Sequence, residues 1–180
     1  MQKDVPELYE LKNVFGNNNW HYETTFDHTV NVLKEFEKFF EEYKNFFDDK
    51  KKNLFKWVIL LHDIAKKETL VVTDDGRTSF PNHWEMGARK ADLILRKLKL
   101  SDENRIYIVS MIKNHHLPHD MFGDDGNYYD NFVKIKNNFP DIYKEILLMG
   151  FLDTKGSNLE NNDKEKYDFR INVYKKLLEI

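Results

Sequence analysis

The sequence predicts an all-α fold, a helical bundle carrying one small β-hairpin. Three observations support that reading. Apolar residues recur at three- and four-residue intervals through most of the chain. β-Prone residues gather in a single short stretch flanking Asp74-Asp75-Gly76, and Ser, Asp, Gly and Pro fall where helices would begin and end. No internal repeat and no Gly/Ser- or Pro-rich linker divides the 180 residues, so residues 1–180 are read as one domain, a length that buries roughly 70% of its unfolded surface.

In chain order, Glu7 to Phe15 predicts a short helix stopped by Gly16 and the asparagines that follow. Asp27 serves as an N-cap for a long amphipathic helix with Val30, Leu33, Phe36, Phe40, Tyr43 and Phe47 inward. The charged run Asp48 to Lys52 reads as a solvated connector. A central helix follows from about Asn53 to Lys66, with Leu54, Val58, Leu61 and Ala65 on one face. Thr69 to Thr73 and Arg77 to Phe80 flank an Asp-Gly turn, the signature of a hairpin. Pro81 ends it. The next helix, His83 to about Leu98, has Met86, Ile94 and Leu98 inward, with Ala88 and Ala91 permitting close approach. Another starts at Ser101 and runs through Ile106, Val109 and Ile112 to His115-His116, where Pro118 closes it. His119 to Asn127 reads as a loop. Helices over Tyr129 to Asn138, Asp141 to Asp153 and Asp163 to Glu179 complete the chain.

Composition narrows the function. A net charge of −3 argues against tight general binding to nucleic acid, which needs a basic surface. The chain has no cysteine, so any metal must rest on histidines and carboxylates. The first residues hold no apolar signal core and the apolar runs are too short to span a bilayer, so a cytoplasmic protein without membrane contact is expected.

His62 and Asp63 are polar residues carried towards the interior by an apolar helix. Buried groups of this kind persist when paired, hydrogen-bonded or metal-bound. Five of the seven histidines (His28, His62, His83, His115, His116) fall on or beside helices that should pack together. Asp153 ends the apolar run from Ile146 to Leu152 and needs a cation or a donor there. Imidazole with carboxylate suits zinc, iron, manganese, nickel and cobalt alike. Two readings stay open on the residues alone: satisfied core and capping groups, or a metal held between helices, with the two oxygens of Asp63 able to bridge to a second ion.

In the order His28, His62-Asp63, Asp153, these residues resemble the H…HD…D signature of the HD-domain metal-dependent phosphohydrolases. The chain is most similar to the HD domain appended to bacterial CCA-adding tRNA nucleotidyltransferases. Trp20-His21-Tyr22-Glu23 with Phe26-Asp27-His28-Thr29 looks like that group's first motif. Leu61-His62-Asp63-Ile64-Ala65-Lys66 looks like LHDIGK, with Ala65 where glycine is usual. Phe80-Pro81-Asn82-His83 with Gly87 and Ala88, Asn114-His115-His116, and Asp153-Thr154-Lys155-Gly156 resemble the later motifs. The likeness covers about residues 20 to 156. The nucleotidyltransferase and tRNA-binding parts are missing, and Asp74-Asp75 lies in a hairpin turn, so nucleotide addition is not expected.

The resemblance implies that His28, His62, Asp63 and Asp153 hold a first metal. It implies that His83, His115 and His116 hold a second ion or contact phosphate, with His115 the better ligand because adjacent helical side chains diverge. Asp63, Lys66 and His115 would carry the catalysis. Lys66 would steady a phosphate oxygen, or is merely an exposed helix-end lysine. Arg89 would bind a second phosphate, or pairs with Glu85. His21 and Glu23 would orient His28, or hydrogen-bond locally. His119 and the segment through Asp124-Asp125-Gly126 to Tyr129 would cover the pocket, or are simply solvated, and Trp20, Trp84 and Phe122 are candidate base-stacking surfaces.

The expected activity is hydrolysis of a phosphate mono- or diester, in a nucleotide or a 2′,3′-cyclic phosphate, with RNA ends among the partners. One or two ions of Mn, Fe, Ni, Co, Zn or Mg would serve it. The alternatives are a diiron oxygenase with the same ligand order and a non-catalytic nucleotide-binding module.

Overall fold

The computed structural model describes residues 3–18, 20–123 and 127–180. Asp124-Asp125-Gly126, part of the expected cover over the pocket, lie outside the described residues. The architecture is all-α with one hairpin, as expected. Among the described residues the order is α1 (Pro6–Glu10), a 3-10 turn (Leu11–Asn13), α2 (Thr25–Glu42), α3 (Asp49–Leu61), α4 (Lys66–Thr69), β1 (Val71–Val72) and β2 (Thr78–Ser79). Then come α5 (His83–Lys97), α6 (Asp102–Asn114), α7 (Leu117–Asp120), α8 (Tyr128–Asn138), α9 (Tyr143–Gly156), α10 (Leu159–Asn162) and α11 (Lys164–Leu178).

Side-chain caps set several helix starts. Thr24, not Asp27, caps α2: its hydroxyl oxygen accepts from the Asp27 amide while the hydroxyl donates to the Asp27 carboxylate. Asp48 caps α3, so the charged run Asp49 to Lys52 is helical instead of a connector. The hairpin is short and antiparallel, pairing Val71 with Ser79 and Val72 with Thr78. Gly76 takes a φ of +77° at its turn, a value that favours glycine.

The core is apolar and continuous. Helix α2 lies between α3 and α9, α5 packs on α6, and α11 covers α9. Phe36 and Phe55 stack across the α2–α3 seam with centroids 5.8 Å apart. Two glycines allow the approaches that matter to the site. A Cβ on Gly156 would lie 2.8 Å from the Val32 backbone nitrogen, so its absence lets α9 close on α2. A Cβ on Gly150 would run into Pro118 and the Tyr174 hydroxyl, so its absence lets α7 and α11 close on α9.

Several boundaries and faces differ from the sequence expectation. Helix α3 stops at Leu61, and His62 to Ala65 form a turn before α4, closed by the Ile64 amide on the Leu61 carbonyl and the Lys66 amide on the Asp63 carbonyl. Pro118 does not close α6. It sits in the first turn of α7, where its missing N–H costs nothing. Met86 and Ile106 are exposed, 43% and 62%. The buried stripe of α6 instead follows Ile108, Met111 and Ile112 into His115.

Candidate metal centre

His28, on α2, is buried; so are His62 and Asp63 at the end of α3, and His115 at the end of α6. The Nε2 of His62 lies 3.1 Å from Asp63 Oδ2, and the Nε2 of His28 lies 3.8 Å from that same oxygen. Asp153, on α9, brings Oδ1 to 2.6 Å from His28 Nε2 and 3.8 Å from His62 Nε2. A second group shares Asp63. Its other oxygen, Oδ1, is 3.4 Å from His83 Nε2 and 3.9 Å from His115 Nε2, and those two nitrogens are 3.1 Å apart. One carboxylate thus offers an oxygen to each of two imidazole groups.

The imidazoles are oriented by the main chain. The Nδ1 atoms of His62, His83 and His115 donate to the carbonyls of Ile59, Phe80 and Ile112, at 2.7, 2.7 and 2.6 Å. Each acceptor is the residue three positions earlier. A carbonyl only accepts, so a hydrogen is fixed on Nδ1, and in the neutral ring the Nε2 lone pair is turned towards the cluster. His83 Nε2 and His115 Nε2 then meet lone pair to lone pair, an arrangement that a cation between them relieves. Burial holds His115 well below its ordinary value, with the His83 and His62 charges adding to the effect, and burial also lowers His83. Both rings are neutral at pH 7, the form that binds metal.

The acids are ionised. Burial works to raise Asp63, but the charges of His62 and Lys66 outweigh it and hold the carboxyl well below the usual range. Burial likewise opposes ionisation of Asp153, and His28 and His119 outweigh it. His62 is raised: burial opposes its charge, and Asp63 with Asp153 prevails. Among the described residues, His62 Nε2, Asp63 Oδ2 and Asp153 Oδ1 are buried without a well-formed hydrogen bond. His28, His62 and Asp63 each bring a ligand atom within 4.8 Å of the others, and Asp153 Oδ1 adjoins both imidazoles, which fits a divalent ion, since imidazole with carboxylate is the donor set of such sites.

The cluster forms one wall of a cavity of about 420 Å³. Lys66 is buried beside it, its Nζ 2.8 Å from Asp63 Oδ2 and 3.5 Å from His21 Nε2. Glu23 accepts from His21 Nδ1 at 3.0 Å and approaches His28 Nδ1 at 3.6 Å. His119 is helical and part of the site: its Nε2 is 2.7 Å from Asp153 Oδ2.

Three other expected ligands or contacts do not meet Asp63. His116 lines the cavity but stacks on Trp84, centroids 4.2 Å apart, and approaches Asp120 instead of Asp63. Arg89 is exposed and does not line the cavity, while Glu85 pairs with Lys113. Six residues beyond His83 is about 240° around a helix, which explains why Arg89 leaves the site. Phe122 packs against Tyr174 and Arg170 and is not in the cavity wall. Arg170 does line it, although nothing local in Asp168-Phe169-Arg170-Ile171 separates it from a solvated helix charge.

Among the described residues no helix is long and apolar enough to cross a membrane. Compared with curated proteins, the chain matches none. The HD-domain family model, in contrast, matches residues 25–160, a span that holds α2 through α9 and with them His28, His62, Asp63, His83, His115 and Asp153. Most of the chain is covered by that match, and the protein belongs to the HD-domain family, whose members are generally hydrolases that bind divalent metals.

Proposed function

We propose that this protein is a metal-dependent phosphohydrolase that cleaves a phosphate mono- or diester, in a nucleotide or a 2′,3′-cyclic phosphate, RNA ends included. The observation that carries the reading is Asp63, one oxygen towards His28 and His62 and the other towards His83 and His115, at the wall of an open cavity. His28, His62, Asp63 and Asp153 would hold a first divalent ion, and Asp63, His83 and His115 a second. Mn, Fe, Ni, Co, Zn and Mg all remain compatible with these donors. Ions bound there would supply deprotonated water at neutral pH and offset charge on the phosphoryl oxygens.

The chain's own groups complete the chemistry. Lys66 is a buried point charge on the cavity side of Asp63, within reach of a non-bridging phosphoryl oxygen once Asp63 is shared with metal. His119 keeps the second oxygen of Asp153 occupied, which fixes the direction of the first. Trp20, Phe80 and Trp84 line the cavity and offer faces on which a nucleobase can stack. The ordered motifs resemble the HD domain of CCA-adding enzymes, which is the reason RNA ends stay among the substrates.

The test is a metal-reconstituted assay on nucleoside monophosphates and 2′,3′-cyclic phosphates, with wild type compared against Asp63→Ala. Wild type should turn over at least one class without consuming O₂. The variant should lose roughly a thousandfold or more, about 4 kcal/mol of barrier. Equal turnover by the two proteins refutes the mechanism, and iron-dependent O₂ consumption replaces it with an oxygenase.

A further inference from the structure

Arg170, on α11, and Trp20, before α2, both lie outside the residues that the family model matches, and they meet at the cavity. Arg170 is only 5% exposed, and its Nη1 has no hydrogen-bond partner among the described residues. No described carboxylate forms an ion pair with it. Its neighbours are rings: the guanidinium carbon lies 4.6 Å from the centroid of Trp20 and 4.4 Å from that of Phe122. Such contacts engage the plane of a guanidinium and leave its N–H fork for an anion.

A buried charge without a counter-ion is costly to keep. Burial duly lowers this guanidinium from its usual value. The group still stays cationic at physiological pH. The contacts from Arg170 to the acidic cluster pass through Trp20, edge-on to His119 at 5.2 Å, and from His119 to Asp153. Arg170 lines the same cavity as Asp63 and Asp153 yet pairs with neither, which leaves it for a group other than the one at the acidic cluster. Planar, bidentate recognition is what a guanidinium offers a phosphate.

We propose that Arg170 anchors a second phosphoryl group, so that the cavity takes a substrate with two phosphoryl groups in preference to a simple monophosphate. This rests on the hydrolase reading for the place of the first group. A structural rivet joining the N-terminal loop to α11 is the competing account. It predicts lost stability without altered ligand preference.

The experiment measures binding of AMP, ADP and adenosine 3′,5′-bisphosphate to manganese-loaded protein. Intrinsic tryptophan fluorescence is read in a stopped-flow, before turnover. Wild type should bind one or both of the doubly phosphorylated probes at least tenfold more tightly than AMP. Arg170→Gln should cut that preference to twofold or less, and Arg170→Lys, which keeps charge but loses the fork, should fall between. Should the glutamine variant fail to fold by circular dichroism, the lysine variant is read alone against wild type. No preference in wild type, or an unchanged preference in the folded variants, overturns the anchor. Ester hydrolysis by the same preparations reports on the other reading. Preference without hydrolysis upholds the anchor and sinks the hydrolase, and hydrolysis without preference does the reverse.

Discussion

The ends of α3 and α6 each present two neighbouring polar residues, His62-Asp63 on one and His115-His116 on the other. Both first histidines sit just past the last helical residue, and both give Nδ1–H to the carbonyl three positions back. The second residues part ways. Asp63 stays 2% exposed within a turn that closes immediately and keeps the carboxylate inside. His116 turns aside onto Trp84 as the chain moves into α7. A helix end can thus aim one imidazole by a backbone hydrogen bond alone, whereas the fate of its neighbour is set by the turn that follows.

The harshest way to break this comparison is to remove what the two ends share. Asp63→Asn keeps the shape but loses the charge that faces both imidazole groups. It is expected to lower metal content at both positions, while His62→Gln and His115→Gln each lower it mainly at one, with activity losses of roughly 10²-fold or more for each histidine. Elemental analysis of the three purified variants gives the answer. If Asp63→Asn loses no more metal than either single histidine variant, Asp63 does not join two sites.

The sequence made the bundle legible because burial of apolar faces is periodic, and it made the cluster legible because a histidine and an aspartate on an apolar helix need partners. It did not show where α3 ends. Leu61, Ile64 and Ala65 are buried whether the chain is helical or turned, so periodicity runs through the boundary unbroken. Nor does it show the buried face of α6, since Ile106 and Ile108 are equally apolar and only packing chooses between them. Arg170 carries no local signal at all. Its meaning arises where opposite ends of the chain meet, and a single arginine on an amphipathic helix looks like any solvated charge.

A milder probe is pH, applied to metal-free protein in EDTA. Burial lowers His83, His115 and His116, and burial with the Lys66 charge lowers His21 to about 4. An unfolded chain takes up protons at these rings below about pH 6.5, and the folded chain resists. Their contribution is therefore present above pH 6.5 and is lost as pH falls towards 4. His62 is raised and acts in the opposite sense, but it is one ring against four. Urea unfolding should show stability falling between pH 6.5 and 4, by about 1.4 kcal/mol per pH unit for each net proton excluded. A flat or rising profile contradicts the neutral imidazoles on which the centre depends. Added manganese should steepen the loss, because protons then compete with metal for its ligands.

The smallest effect is expected where the two helix ends differ. Arg89→Ala, on the exposed side of α5, should change neither metal content nor turnover. His116→Ala is the sharper case, because the ring lines the cavity and yet points away from Asp63. Removing it deletes a ring pair inclined by 18° to Trp84, worth about 0.5–1.5 kcal/mol of stability. His116 and Trp84 also border a second cavity of about 480 Å³ between α5, α6 and α8, so the pair stands as a partition between two hollows. Loss of the ring should therefore shift KM more than kcat, with kcat within about threefold of wild type, and both ions should remain. A His116→Ala protein that loses an ion as His115→Gln does would mean that neighbouring histidines at this helix end act together, and the divergence drawn between them would be wrong.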